Sequence, residues 1–183
     1  MRDSWEIRLG GSGGQGLITG GIILAEAAIL EGKQAVQSQS YGPESRGGSS
    51  KAEVIISKES IDYMKVRAAD LLLVMSPEAA KKYVDDVKEE GIIILDSTYV
   101  KDCEPKKGKV YKVDISRIAR QDVGREVVAN IVALGVIVGL TGVVSREALE
   151  KAILARVPKG TEEMNKKALA AGFQAIKSAV SAA

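Results

Sequence analysis

Gly10-Gly11-Ser12-Gly13-Gly14-Gln15-Gly16 gathers five glycines into one short stretch near the start of the chain. Before it, Trp5, Ile7 and Leu9 alternate with polar residues, as in a strand with one buried face. After it, Leu17 to Leu30 carries only Thr19 and Glu26 as polar side chains, which predicts a helix buried on most sides. Strand, glycine turn and buried helix in direct succession commit the chain to open as a β–α unit. Gly11, Gly13 and Gly16 also satisfy G-x-G-x-x-G in the context that pattern requires. Glycine there allows a tight reversal and close approach of a ligand, and the unpaired N–H groups of the helix start favour an anion. A turn that merely folds the first helix onto a sheet needs the same residues, so both readings stand at this point.

One absence narrows the ligand. A dinucleotide site of the NAD type uses Asp or Glu about 20 residues further on to hold the ribose hydroxyls. Here that region reads Ala35-Val36-Gln37-Ser38-Gln39-Ser40, without an acid. NAD is disfavoured, whereas a phosphate-bearing ligand is not.

The remainder alternates strands and helices. Gln34–Tyr41 and Ser49–Ser57 read as extended segments with no room between them for a crossover helix, so they are expected to pair antiparallel. Leu71–Met75 and Ile92–Leu95 are continuous apolar runs of the kind covered on both faces. Between them, Ser76-Pro77-Glu78 supplies an N-cap, a proline at the first helical position and an acid, predicting a helix to about Glu90 that ends at Gly91. Val110–Ile115 is a further strand, and from Ile118 onward the pattern is helical. Val127–Leu140 is apolar except for Asn130, with Gly135 and Gly139 spaced for close approach of another backbone. Ser145 caps a following helix, and a last one starts at Thr161 with Met164, Ala168, Ala171, Ala175 and Ala179 along one stripe. The expected fold is α/β: a Rossmann-like, mixed but mostly parallel sheet with helices on both faces and one antiparallel extended pair, forming one domain across residues 1–183.

Composition excludes several chemistries. The chain has no histidine and a single cysteine, Cys103, so it cannot by itself supply a four-thiolate cluster, a zinc finger or a Ser–His–Asp triad. A net charge of +2 is no footprint for nucleic acid, and no apolar run reaches membrane-spanning length. No metal ligands and no catalytic set are expected, and the polar N-terminus points to a cytoplasmic protein. Asp96 and Ser97 follow a buried strand, where an acid commonly caps the next turn. Asn130 is expected to bond a neighbouring carbonyl. Cys103 is expected to be an inert thiol. The loop Tyr41 to Gly48 combines a phenol, Glu44, Arg46 and glycines. Arg46 suits a phosphate or carboxylate, and an internal Glu44–Arg46 pair is the alternative.

Three segments carry a family resemblance: Gly11-Ser12-Gly13-Gly14-Gln15-Gly16, Gln39-Ser40-Tyr41-Gly42-Pro43-Glu44-Ser45-Arg46-Gly47-Gly48 and Asn130-Ile131-Val132-Ala133-Leu134-Gly135. In order and spacing they resemble the gamma subunit of 2-oxoacid:ferredoxin oxidoreductases. The tyrosine loop is closer to the 2-oxoglutarate branch than to the pyruvate branch, where a second arginine follows the glutamate. The resemblance implies a multi-subunit oxidoreductase that converts a 2-oxoacid and coenzyme A to acyl-CoA, carbon dioxide and reduced ferredoxin. It also implies alpha, beta and delta partner chains, with thiamine diphosphate and iron–sulfur clusters held by those partners. The chain itself would assist coenzyme A binding and assembly, would be inactive alone and, with partner surfaces open, would tend to self-associate. The site residues implied are Gly11, Ser12, Gly13, Gly14, Gln15, Gly16, Tyr41, Glu44, Arg46 and Gly47. A purely structural assembly subunit and a free-standing nucleotide-binding oxidoreductase are the alternatives.

Overall fold

The computed structural model describes residues 3–41 and 49–181. In chain order the elements are β1 (Ser4–Ser12), α1 (Leu17–Leu30), β2 (Gln34–Tyr41), β3 (Ser49–Ser57), β4 (Ala69–Val74), α2 (Pro77–Tyr83), β5 (Val87–Asp96) and β6 (Lys109–Val113). A short α3 (Ile115–Arg117) runs into a π-helical turn (Ile118–Val123), followed by α4 (Ala129–Thr141), α5 (Arg146–Arg156) and α6 (Glu162–Ser181).

The strands form one six-stranded sheet in the order β2-β3-β1-β4-β5-β6. β1, β4, β5 and β6 are parallel neighbours, and β3 lies antiparallel between β1 and β2. The expected mixed sheet and antiparallel pair are both present. One face carries Ile7, Leu9, Ala52, Val54, Leu71, Leu73 and Ile94 under α1, α4, α5 and α6. The other carries Ile55, Leu72, Val74, Ile93 and Leu95 under α2. Helices therefore cover both faces, with α2 alone on the second.

Local sequence explains the element boundaries. Ser76 Oγ accepts from the Ala79 N–H at 3.2 Å and Pro77 opens α2. Ser145 does the same for α5 through the Ala148 N–H at 3.1 Å. α1 ends with Gly32 at φ 74°, its N–H on the Ile29 carbonyl and the Lys33 N–H on the Ala28 carbonyl. Glu31-Gly32-Lys33 thus forms a left-handed glycine stop.

Three expectations need correction. α2 ends at Tyr83 instead of near Glu90, because Val87 is already a buried strand residue paired with Ala69. Lys88–Gly91 then bulge out of the β4–β5 ladder, and Lys88 Nζ reaches Asp70 at 3.0 Å and Glu6 at 3.2 Å. Gly91 marks the tight rejoining of the strand: a Cβ there would sit 2.3 Å from a Val87 side-chain atom. Along α6 the fully buried residues are Asn165, Ala168, Leu169, Gly172 and Ile176, so the centre of the inward face is rotated from the stripe read in the sequence, whose Met164, Ala171, Ala175 and Ala179 pack half-buried along its flank. The cause is the crossing with α4. A Cβ on Gly172 would lie 2.2 Å from the Val132 carbonyl oxygen, and one on Gly135 would lie 2.6 Å from that of Leu169. The helices meet backbone to backbone at these glycines, as the Gly135 spacing anticipates.

The third correction concerns β1, which is buried on both faces. Arg8 is 3% exposed on the face opposite Ile7 and Leu9. Its Nε bonds Glu53 at 2.9 Å, Nη1 bonds Asp86 at 2.9 Å and Nη2 donates to the Val66 carbonyl at 2.7 Å. Glu53, 4% exposed, also takes Lys51 Nζ at 2.9 Å and the Val66 N–H at 3.3 Å. The pair thus holds both backbone groups of Val66, strapping the segment after β3 across the sheet.

Burial pushes the Glu53 carboxyl upward, but the Lys51 hydrogen bond and the Arg8 charge outweigh it and hold the pKa below its ordinary 4.5. A depressed carboxyl contributes stability that is full above the unfolded value and lost as pH falls through the folded one. Glu53→Gln should leave Arg8 under-compensated and cost about 3–5 kcal/mol. That lowers Tm by about 6–20 °C at neutral pH, using about 2–4 °C per kcal/mol. Thermal melts should show the wild-type advantage shrinking below about pH 4.5; an advantage that grows with acid contradicts the assignment. At the helix crossing, Gly172→Ala meets only backbone and should cost about 1–3 kcal/mol or more. Gly139→Ala meets the side chains of Ile176 and Phe173, which can shift. Equal melting losses for the two would refute the backbone contact.

Candidate functional site

The carboxyl ends of β1 and β4 lie side by side, with Gly10 paired to Val74. From them α1 leaves toward one face of the sheet and α2 toward the other. This divergence is the switch point at which open α/β sheets bind ligands, and the glycine turn occupies it.

Four of the five turn glycines have a steric or conformational reason, and Gly13 has none within the chain. A Cβ on Gly10 would lie 2.9 Å from the Tyr83 ring, and one on Gly11 would lie 2.3 Å from Gln15 Oε1. Gly14 and Gly16 adopt φ values of 90° and 71°, the left-handed region. Gly13 and Gly14 are exposed, with no atom within 4 Å of where a Cβ would be, so the space above them is open to a ligand. Gly16 precedes α1 with no side chain capping the helix. The first N–H groups of α1 are therefore left for an incoming acceptor.

Gln15 and Asn130 hold this turn in place. Gln15 Oε1 accepts the Ser12 N–H at 2.8 Å and its Nε2 donates to the Met75 carbonyl at 3.0 Å, bridging the ends of β1 and β4. Asn130 Nδ2 donates to the Gly16 carbonyl at 3.1 Å, and its Oδ1 accepts the Ile131 N–H at 2.9 Å. The expected carbonyl partner of Asn130 is thus the glycine turn itself. Sequence reading gave Gln15 no partner, and it missed the role of Arg8 and Glu53 altogether. Opposite charges, Arg8 and Glu53, at paired positions of two neighbouring strands were the available signal.

The second implied segment arrives at the same sheet end. β3 begins at Ser49 paired with Ser12, and Tyr41, the last residue of β2, pairs with Ser50. Ser50 Oγ donates to the Gly11 carbonyl at 3.4 Å. The β3 stem of the tyrosine loop therefore lies directly against Gly11 and Ser12, the β2 stem at Tyr41 stands one strand further out, and Glu44, Arg46 and Gly47 lie outside the described residues. The glycine turn, the loop stems and Asn130 meet at one place.

Other candidates resolve into structural roles. Asp96 is fully buried and caps the turn into α3: it accepts from the Thr98 N–H at 3.1 Å and from Ser116 Oγ at 2.5 Å. Ser97 Oγ donates to Asp114 at 2.5 Å. Cys103 lines a concavity of about 470 Å³ between α2 and the Tyr99–Glu104 segment that no residue of the glycine turn lines. Burial pushes its thiol pKa up, against activation. Among the described residues no group of His, Cys, Asp and Glu could hold a metal ion, and no helix is long and apolar enough to cross a membrane.

Residues 6–175 match the sequence pattern of the family described as pyruvate ferredoxin/flavodoxin oxidoreductase. The 2-oxoglutarate synthase subunit KorC of Methanocaldococcus jannaschii is 50% identical over 175 residues, covering 94% of each chain. The crystal structure of the gamma subunit of a keto/oxoacid ferredoxin oxidoreductase from Geobacter sulfurreducens superposes with a TM-score of 0.90 at 52% identity, covering 97% of this chain and 99% of that one. The fold also recurs, at a TM-score of 0.86 and 21% identity, in 32% of a chain of the 2-oxoglutarate:ferredoxin oxidoreductase from Magnetococcus marinus, solved with 2-oxoglutarate, coenzyme A and succinyl-CoA bound. This chain, with its glycine turn pinned at the switch point of a mixed sheet, belongs to the pyruvate ferredoxin/flavodoxin oxidoreductase family and corresponds in length and fold to its gamma subunit.

Proposed function

We propose that this chain acts, as one domain across residues 1–183, as the gamma subunit of a 2-oxoglutarate:ferredoxin oxidoreductase. The complex would convert 2-oxoglutarate and coenzyme A to succinyl-CoA and carbon dioxide and pass two electrons to ferredoxin. Alpha, beta and delta chains would be its partners, holding thiamine diphosphate and the iron–sulfur clusters, and the complex would work in the cytoplasm. The 50% identity to a 2-oxoglutarate synthase subunit supports the substrate, in line with the form of the tyrosine loop.

Within that complex the chain's own contribution is to hold coenzyme A, whose thiol takes up the acyl group. The observation that carries this reading is the adjacency of the glycine turn and the β3 stem of the Tyr41–Gly48 loop at the switch point. Exposed Gly13 and Gly14 and the uncapped start of α1 fit a phosphate, with the N–H groups donating. Arg46 would add a charge-assisted fork from the loop. Tyr41, Glu44 and Gly47 would shape the same wall. Gln15 would act as a positioning residue, since both ends of its amide are already bonded within the chain.

Steady-state kinetics of the reconstituted complex test this. Arg46→Ala removes a charge-assisted hydrogen bond worth about 1.5–3 kcal/mol. KM for coenzyme A should rise about 10–150-fold while that for 2-oxoglutarate changes little. An intact complex with an unchanged response to coenzyme A rules the role out; dissociation on size-exclusion chromatography assigns Arg46 to assembly instead. Gln15→Ala leaves the Ser12 N–H and Met75 carbonyl without their partner and should cost about 1–3 kcal/mol of stability. It should also raise KM for coenzyme A without affecting kcat. A variant that melts lower yet keeps its KM makes Gln15 a fold brace alone.

A further inference from the structure

The two edges of the sheet are built differently. β6, at one edge, is five residues long and carries Lys109 and Lys112. Short length and lysines are devices that keep an edge from accepting another strand. β2, at the other edge, runs eight residues, Gln34-Ala35-Val36-Gln37-Ser38-Gln39-Ser40-Tyr41, with no charge and no proline. It pairs with β3 in unbroken register, without a bulge that would twist the edge away. Among the described residues, a side chain reaches its backbone once, from Gln37 Nε2 to the Ser38 carbonyl at 3.4 Å. In a chain with 27% charged residues, this is the stretch where an edge needs charge most and has none.

α1 lies over this same edge. A Cβ on Gly21 would be 3.1 Å from Ala52 and 3.7 Å from Gln37, placing the helix above β3 and β2. The side chains of α1 left partly or fully exposed are Ile18, Thr19, Ile22, Glu26, Ile29 and Leu30, four of them large aliphatics. Ile29 and Leu30 are 58% and 59% exposed.

We propose that β2 is a self-association edge: two copies of this chain pair their β2 strands antiparallel about a two-fold axis. The two six-stranded sheets become one, and the two α1 helices lie on the same face on either side of the axis. Charge selects the occupant. A strand pairing with itself across a two-fold meets its own pattern reversed, and like charges placed opposite each other repel. A strand without charges avoids that in every register. A charged segment of a different protein would instead be matched by opposite charges on the edge, and β2 offers none. The inference does not depend on the coenzyme A reading.

Light scattering coupled to size exclusion tests it on the full chain at micromolar concentration. The wild type should have twice the 19.4 kDa mass of one chain. Gln34→Lys with Gln39→Lys, both at exposed positions, should abolish the dimer with an unchanged circular dichroism spectrum. Mixing it with the Gln34→Glu, Gln39→Glu chain should restore the dimer mass. Amide exchange over residues 34–40 should be slow in the wild type and fast in the lysine variant. A monomeric wild type, a lysine variant that stays dimeric, or a mixture that stays monomeric overturns the proposal. So does protection of residues 34–40 that appears only on adding the partner subunits, which gives the edge to them.

Discussion

The reversal at Gly16 is the contact on which the architecture turns. Its φ of 71° is open to glycine at little cost, and its carbonyl accepts both the Gly20 N–H at 2.9 Å and Asn130 Nδ2 at 3.1 Å. A Cβ on Gly16 would stand 2.7 Å from that same nitrogen, so a larger residue would displace the clamp as well as strain the backbone. Through Asn130 the turn is tied to α4, and α4 is locked to α6 where their backbones touch at Gly135 and Gly172. Through Gln15 it is tied to the end of β4. The exposed part of the turn, Gly13 and Gly14, is left open while everything around it is held. A ligand meeting such a turn pays little ordering cost, which is the general advantage of a preorganised site.

The two faces of the sheet solve their burial differently. The face under the long helices is apolar across β1, β3, β4 and β5 and closes there by side-chain packing. The other has α2 alone, which leaves the β1–β3 end to be covered by the irregular segment after β3. An irregular segment brings backbone groups that need partners when buried. Arg8 and Glu53 supply them at Val66, and each neutralises the other's charge in doing so. The guanidinium also lies 5.6 Å from the centre of the Tyr83 ring on α2, joining the strap to the helix. A buried ion pair is not by itself a source of stability relative to apolar packing. Its use here is to make an uncovered sheet surface compatible with a loop.

How far the sequence revealed this depends on whether a feature is local. The glycine turn, the caps at Ser76 and Ser145, the Gly32 stop and the antiparallel pairing of β2 with β3 all follow from residues within a few positions of one another. So does the close approach at Gly135, since small residues four apart on an apolar helix have few other uses. What failed was non-local. Asp85 to Glu90 has the charge density of an exposed helix, and only the pairing of Val87 with Ala69 takes it into the sheet. The stripe Met164, Ala168, Ala171, Ala175 and Ala179 does pack against the core, but the crossing with α4 centres the buried face on Leu169, Gly172 and Ile176 beside it. Arg8 looked like the solvent side of a half-buried strand because nothing nearby in sequence announces Glu53. Of the site, the turn and Asn130 were legible as pieces, while their contact across 114 positions was not.

The reversed strand explains why these pieces meet. In a wholly parallel sheet each strand is followed by a crossover that carries the chain back to the opposite end, so neighbouring carboxyl ends receive loops that start there and leave. β2 is followed instead by a hairpin, and β3 starts at the end where β2 stops. Because β3 is inserted next to β1, its first residue, Ser49, is the direct neighbour of Ser12, and Ser50 the neighbour of both Gly11 and Tyr41. The start of β3 is thereby set against the glycine turn, and Tyr41 and Ser49 are both held in the ladder. The antiparallel intrusion is thus the device that brings the first residues of β3 beside the glycine turn, ahead of an uncapped helix start. Neither of those features alone distinguishes this chain from any other strand–turn–helix unit; their adjacency does.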